Sequence, residues 1–335
     1  MESITKRHLS ATEIEALAAR AFPDAGVASV EEVTDGWFSA VYALELLDGR
    51  ETILTVAPPA GLRLLTYETE LMRTEIEFFE RARAAGVPVP ELLFHDVTRD
   101  LIDSDYVFVS RLGGVPLNAV AEELDEELRR NVRYELGAVA ARLHGIRGDG
   151  FGYPRARRPT WPEAFLGMLD DLLDDARELD TELPRSPAEI GAIAAANASL
   201  LAAVREPCLV HFDLWDNNVF VQERDGRLRI EGVIDGERAF YGDPLAEFVA
   251  LAVLRDLDEV PDLIAGYEAA TARRLPRDES TRRRLALYRV YFAAIVCIEG
   301  PTRGFHGAEH ERIVAWAAEH LEADLDRLRA DVSRR

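Results

Sequence analysis

The residues able to do chemistry crowd into one stretch. His211, Asp213, Asp216, Asn217 and Asn218 fall within eight positions, between the apolar runs Cys208 to Val210 and Val219 to Val221. Arg224-Asp225-Gly226-Arg227 follows, and Asp-Gly between apolar runs predicts a β-hairpin. The return run, Leu228 to Ile234, ends at Asp235. With Asp225 and Gly226 as a two-residue turn, Gln222 faces Arg229, Phe220 faces Glu231 and Asn218 faces Val233. Asp235 then lands beside Asn218 at the open end of the hairpin, and Asp213 lies on the loop leading into it. Two carboxylates and one carboxamide converge. The oxygens of Asn218 and Asp235 are hard ligands of the kind Mg²⁺ takes, an ion that keeps several waters and shares phosphate oxygens. Asp213, outside that pair, is free to accept a proton. The same residues suit two plainer readings. One is a solvated loop ahead of a surface hairpin, which accounts for Asp216 and Asp225. The other is a metal-dependent hydrolase using His211 and Asp213, which would draw on more histidines than the 7 in the chain.

Other elements must position this stretch. Ser10 and Glu13 form a capping box, predicting a helix from Ala11 to about Arg20. Val30 to Val33, Val41 to Leu46 and Thr52 to Val56 read as three strands, the last two joined by Asp48-Gly49. A glycine-containing loop, Thr34-Asp35-Gly36-Trp37-Phe38-Ser39, lies between the first two. Thr66 to Ala85 predicts a helix with Leu71, Met72, Ile76, Phe79 and Ala82 on its apolar face. Gly86 suits its C′ position, and Pro88 and Pro90 forbid continuation. Leu92 to His95 and Tyr106 to Ser110 read as two more strands. After Leu112-Gly113-Gly114-Val115-Pro116 the pattern turns helical. Helices are predicted over Asn118 to His144, Trp161 to Arg177, Pro187 to Val204, Pro244 to Leu254, Asp262 to Arg274, Thr281 to Ile298 and Ala308 to Arg329. Asp243 and Pro244 supply an N-cap and N1 pair, with Glu247 in the first turn.

His211-x-Asp213-x-x-x-x-Asn218, followed by Ile234-Asp235, resembles the catalytic loop and metal-binding segment of the aminoglycoside phosphotransferase family, related to choline kinases, fructosamine kinases and, more distantly, protein kinases. The resemblance implies an α+β, two-lobed protein-kinase-like fold. Residues 1–109 would form a small antiparallel-sheet lobe that binds the nucleotide, 110–114 a hinge, and 115–335 a large, mainly helical lobe that binds the acceptor. It implies ATP or GTP as phosphate donor, Mg²⁺ as cofactor and a hydroxylated small molecule as acceptor. Asp213 would orient and deprotonate the hydroxyl, His211 would support the loop, and Asn218 and Asp235 would hold the metal. Gly36 and Ser39 would lie on the loop covering the phosphates, and Ser110 and Leu112 would meet the adenine. Glu75 matches the helix glutamate that pairs with a strand lysine, although a surface glutamate explains it as well. Two departures stand out. Thr55 occupies the lysine position in Ile53-Leu54-Thr55-Val56, and the only lysine, Lys6, precedes the first helix. Glu247 stands where the family commonly has Asp.

Charge and composition set the partners. A formal charge of −22 in 335 residues disfavours nucleic acid and anionic membranes. It would draw a cationic acceptor, with Asp216, Glu237 and Glu247 near the loop, and it equally serves solubility. No apolar run approaches a membrane span, and Met1 to Ile4 shows no leader pattern. Cys208 and Cys297 sit in apolar runs, predicting buried free thiols and a cytoplasmic setting. The family's acceptors include aminoglycosides and other antibiotics, so a resistance enzyme fits. A metabolic kinase for amino alcohols or sugars fits too, as does a nucleotide-binding regulator without efficient transfer.

Overall fold

The computed structural model describes residues 3–34 and 36–330. Met1 and Glu2 of the N-terminal reading, and Asp35 of the glycine-containing loop, lie outside the described residues.

The first helix, α1 (Ala11–Ala21), starts as its capping box requires. Ser10 Oγ accepts from the Glu13 N–H at 3.3 Å, and the Glu13 carboxylate accepts from the Ser10 N–H at 2.8 Å. Its apolar stripe, Ile14, Leu17 and Ala18, covers one face of a five-stranded sheet. The strands are β1 (Val27–Val33), β2 (Ala40–Leu46), β3 (Glu51–Val56), β4 (Leu92–Asp96) and β5 (Tyr106–Ser110), in the order β1-β2-β3-β5-β4, every pair antiparallel. Strand alternation divides their side chains between two cores. Leu54, Val56, Tyr106 and Phe108 pack under α1, while Val107 and Val109 join the larger core on the other face.

Between β3 and β4 the predicted helix over Thr66 to Ala85 is shorter. Thr66–Glu68 form one 3₁₀ turn, Glu70 enters the left-handed region at φ 69°, and α2 runs from Leu71 to Ala84. Tertiary ties override helical continuation. Asp175 takes both the Thr66 N–H at 2.7 Å and its hydroxyl at 2.9 Å, and Glu68 is buried in an ion pair with Arg303 at 2.8 Å. The end of α2 follows the glycine rule: Gly86, at φ 72°, donates to Arg83 O and Val87 donates to Ala82 O.

The C-terminal region is helical around two small strand groups. The helices are α3 (Leu117–Val120), α4 (Glu126–Leu143), α5 (Trp161–Glu178), α6 (Pro187–Ala196), α7 (Ala198–Leu201), α8 (Phe248–Leu251), α9 (Pro261–Thr271), α10 (Glu279–Ile298), α11 (Gly300–Arg303) and α12 (Ala308–Ala330). Three predicted helices are therefore broken. Asp125 restarts the first as α4 by accepting from the Leu128 N–H at 2.8 Å. Buried Asn197, whose Nδ2 turns back to Ile193 O at 2.8 Å, separates α6 from α7. Pro244–Glu247 is a 3₁₀ turn before α8, and Val253 and Leu254 take positive φ where the helix was expected to end. α10 is the central rod, buried at every residue from Leu285 to Ile298. β7 (Cys208–Val210) pairs with β10 (Phe240–Gly242), and β6 (Val115–Pro116) pairs with a hairpin of β8 (Val219–Arg224) and β9 (Arg227–Val233). Cys208 and Cys297 are buried free thiols. Among the described residues, no helix is long and apolar enough to cross a membrane.

Candidate active site

β7 ends at Val210 and hands the chain to His211, which is fully buried. Its Nδ1 lies 3.3 Å from the Asp213 N–H, so Nδ1 accepts and Nε2–H donates to Ile234 O at 2.9 Å. The imidazole thus ties the loop carrying Asp213 to the segment carrying Asp235. Beneath it, Glu247 takes the His211 N–H at 2.8 Å and the Phe212 N–H at 3.0 Å. Burial alone would raise the Glu247 pKa, but the neighbouring His144 and the His211 amide hold it below its usual value. Phe212 sits at φ 66° and Asp235 at φ 65°, so both sides of the site store backbone strain.

The hairpin pairs Gln222 with Arg229 as expected, but its register slips nearer the site. A bulge between Phe220 and Val221 pairs Phe220 with Gly232 and Val219 with Val233. Asn218 O accordingly accepts from Ile234 N–H at 3.0 Å, not from a residue opposite Val233. The bulge frees Glu231, whose carboxylate takes the N–H groups of Gly113 and Gly114 at 3.0 and 2.6 Å. Asp235 still arrives beside Asn218, with Asn218 Nδ2 3.5 Å from Asp235 Oδ2 and 2.8 Å from Asp213 O.

Asp213 Oδ1 accepts from the Trp215 indole at 2.6 Å, and Arg238 Nη1 stands 3.9 Å from the same oxygen. Asp213 Oδ2 and Asn218 Oδ1 make no hydrogen bond among the described residues. Burial, and then the charge of Asp213, push the Asp235 carboxyl up. Glu75 is no surface glutamate. It is buried, and desolvation plus the nearby Asp235 charge raise it to about 8. Burial, Asp235 and Glu75 likewise push Glu237 up. Gly236, between Asp235 and Glu237, lies under the Phe78 ring of α2, where a side chain would collide.

This donor set fits a hard divalent ion. Asp235 is a half-buried carboxylate with no ion-pair partner among the described residues, and the free Asn218 Oδ1 is its neighbour. No three His, Cys, Asp or Glu residues cluster as a metal cage among the described residues. An ion here would complete its shell with waters and phosphate oxygens, as Mg²⁺ does.

The structure disperses other expected residues. Asp216 is held by Arg133 in a two-pronged ion pair at 2.6 and 2.5 Å, and Glu247 is wholly internal. Glu237 is buried. None of the three is an open acid for an acceptor. The Ser110 N–H is spent on Glu91 O at 2.9 Å, leaving the Leu112 backbone as the freer hinge position. Thr55 is half-buried and pairs with Val41 and Val107, and Lys6 bonds Thr34 O at 3.1 Å. Gly36 and Ser39 flank Phe38, whose carbonyl accepts from Thr5 Oγ1 at 2.7 Å and whose ring stacks on the Arg303 guanidinium at 5.0 Å. Trp215, Arg238, Glu299 and Arg303 belong to the site's surroundings and carry no motif. Arg238, three positions after Asp235, was the one local signal among the chain's 39 basic residues.

Solved structures share this arrangement of sheet and helices. A protein assigned as a fructosamine-3-kinase from Thermobifida fusca YX-ER1 superposes with a TM-score of 0.65 at 21% identity, covering 92% of this chain and 99% of its own. An APH(2″)-IIa enzyme in ternary complex with streptomycin and ATP gives 0.59 at 17%, covering 94% and 99%. The apoenzyme of a macrolide 2′-phosphotransferase from Brachybacterium faecium gives 0.57 at 18%, covering 91% and 97%. At these identities the likeness shows the kinase-like fold. No curated protein matches the sequence. The sequence model of the phosphotransferase enzyme family matches residues 29–288, which include β1 to β10 except the first two residues of β1, and every site residue above but Glu299 and Arg303. With the 211–218 loop, hairpin and sheet all inside that match, the chain belongs to the phosphotransferase enzyme family.

Proposed function

We propose that this protein transfers the γ-phosphoryl group of ATP or GTP to a hydroxyl of a small molecule, with Asp213 as the base. One observation carries the reading. Asp213, Asn218 and Asp235 are joined in one hydrogen-bonded unit that leaves Asp213 Oδ2 and Asn218 Oδ1 unspent. The Trp215 indole and Arg238 occupy the Oδ1 side, so the acceptor hydroxyl meets Oδ2. The acceptor oxygen forms the new bond to phosphorus as the bond to the bridging oxygen breaks. Its proton passes to Asp213, and the nucleoside diphosphate leaves. His211 keeps the loop in place as a neutral donor and takes no part in proton transfer. Asn218 and Asp235 would hold Mg²⁺, which when bound supplies neutralisation of the phosphate oxygens. The nucleotide lies between sheet and hairpin, with 110–114 joining residues 1–109 to 115–335 and Leu112 facing the base. Solved relatives of the fold bind ATP with streptomycin, ADP or GDP, which supports a nucleotide donor without choosing between the two purines.

Acceptors named for those relatives, aminoglycosides, a macrolide and a fructosamine, define the panel to try, with amino alcohols and sugars beside them. A role in antibiotic resistance stands or falls with that panel. A second reading, nucleotide binding without efficient transfer, is favoured by Thr55 in the lysine position. Labelled ATP and GTP with Mg²⁺ and the panel separate the two. Phosphorylated product supports the first reading. Nucleotide binding with no product from any acceptor supports the second.

A further inference from the structure

The site holds four acidic side chains, Glu75, Asp213, Asp235 and Glu237, and no lysine. Among the described residues, Arg238 is the only cation within ion-pair range of Asp213. It follows Asp235 by three positions, is only 8% exposed, and lies 5.8 Å from the centre of the Tyr67 ring. Its planar head has five N–H donors. One is spent, from Nη2 to Glu299 Oε2 at 3.2 Å. Nε is buried without a partner, and Nη1 stops 3.9 Å short of Asp213 Oδ1, beyond hydrogen-bond length. Unpartnered Nε atoms recur in other buried arginines of the chain, so that feature alone selects nothing; the place beside Asp213 does. Arg303, the neighbouring buried arginine, already serves two carboxylates. Its Nε and Nη2 reach Glu68 at 3.2 and 2.8 Å, and Nη2 reaches Glu299 at 3.0 Å.

We propose that Arg238 is the cation that binds the transferred phosphoryl group in this protein, with Glu299 and Arg303 as positioning residues that aim its open donor edge. The inference rests on the phosphotransfer reading above. A guanidinium edge matches two phosphate oxygens at once, and a buried donor edge without an acceptor is costly unless a ligand completes it. The usual strand lysine would reach the phosphates from the sheet. Here the charge comes from the segment that carries Asp235, so phosphate recognition is built into the helical region. Glu75 is thereby released from any cation, in keeping with its desolvated surroundings.

Calorimetry with Mg·ADP and with the Mg-bound imido analogue of ATP tests this without an acceptor. Wild type should bind the triphosphate more tightly, by ~10- to 100-fold, the scale of a charge-assisted hydrogen bond. Arg238→Gln should bring that ratio close to one while Mg·ADP affinity stays near wild type. Arg238→Lys, which keeps charge but loses the fork, should fall between, and it carries the test if the glutamine variant does not fold. Glu299→Gln should lower the ratio less than Arg238→Gln. An undiminished ratio in Arg238→Gln or Arg238→Lys overturns the proposal. So does equal affinity of wild type for both nucleotides, or a parallel loss of ADP binding in the folded variant. A wild-type protein that binds neither nucleotide contradicts the phosphotransfer reading itself.

Discussion

Replacing Glu247 by Gln should loosen the catalytic loop and cost much of the protein's stability. The carboxylate is fully buried and accepts the N–H groups of His211 and Phe212 at 2.8 and 3.0 Å, with His144 Nε2 3.5 Å away. A glutamine keeps one acceptor oxygen and turns an NH₂ group toward the other backbone N–H. One charge-assisted bond is lost, at about 1.5–3 kcal/mol, and a buried donor is left without a partner, at about 1–3 kcal/mol. Together these give about 2.5–6 kcal/mol, which brackets the roughly 3–5 kcal/mol for breaking a buried charge interaction. The Glu247 carboxyl is held below the ordinary 4.5 of a glutamate. A depressed folded pKa means that its stabilisation is present above that unfolded value and is lost as pH falls through the lower folded value. Wild type should therefore weaken below about pH 4.5 more steeply than Glu247→Gln. Urea unfolding at pH 7 and at a series of acidic values reads both effects. A variant within about 1 kcal/mol of wild type at pH 7, with the same acid slope, would refute the idea that Glu247 holds this loop.

Three other outcomes follow from the packing and charges. Gly236→Ala should cost ~1–3 kcal/mol by forcing a methyl group into the Phe78 ring; Phe78→Leu in the same chain should recover part of it, and an unchanged unfolding midpoint for the single variant contradicts the close packing. Burial, against the pull of Arg289 and Arg327, raises the Asp324 carboxyl to about 6 from 3.8, so the folded state binds the extra proton and wild type gains stability as pH falls from 6 toward 4. Asp324→Asn should flatten that slope, worth roughly 2–3 kcal/mol, in denaturant titrations; an unaltered slope excludes Asp324 as its source. Thr55→Lys should be tolerated and tighten ATP binding measured by calorimetry, since it adds a cation to an acidic cleft; weaker binding means that the site has been rebuilt around Thr55.

Local signals made much of this molecule legible. The Ser10–Glu13 box, the Gly86 stop and the Asp225-Gly226 turn each act within a few residues, and each appears where its spacing places it. The convergence of Asn218 and Asp235 was legible because a hairpin links them by register. It survived the bulge because a one-residue slip moved the pairing from Val233 to Ile234 without separating the two side chains. The bulge itself answers a distant demand, the Gly113 and Gly114 N–H groups that Glu231 satisfies. The break in the helix before Leu71 is of the same kind, since Asp175 and Arg303 hold Thr66 and Glu68 from far along the chain. Glu247 read as a first-turn acid open to an acceptor, and only the fold shows it turned inward beneath His211. The contact between Arg238 and Glu299 joins positions 61 apart in the chain, which no spacing rule spans.

We propose that Asp213 accepts the acceptor's proton while Asn218 and Asp235 serve the metal and nucleotide. Phosphate transfer from labelled nucleotide to the best acceptor of the panel, measured for wild type and Asp213→Asn alongside nucleotide affinity, tests it most directly. Transfer should fall ~10²- to 10⁴-fold while Mg·nucleotide affinity stays near wild type. Unchanged transfer in Asp213→Asn would contradict it.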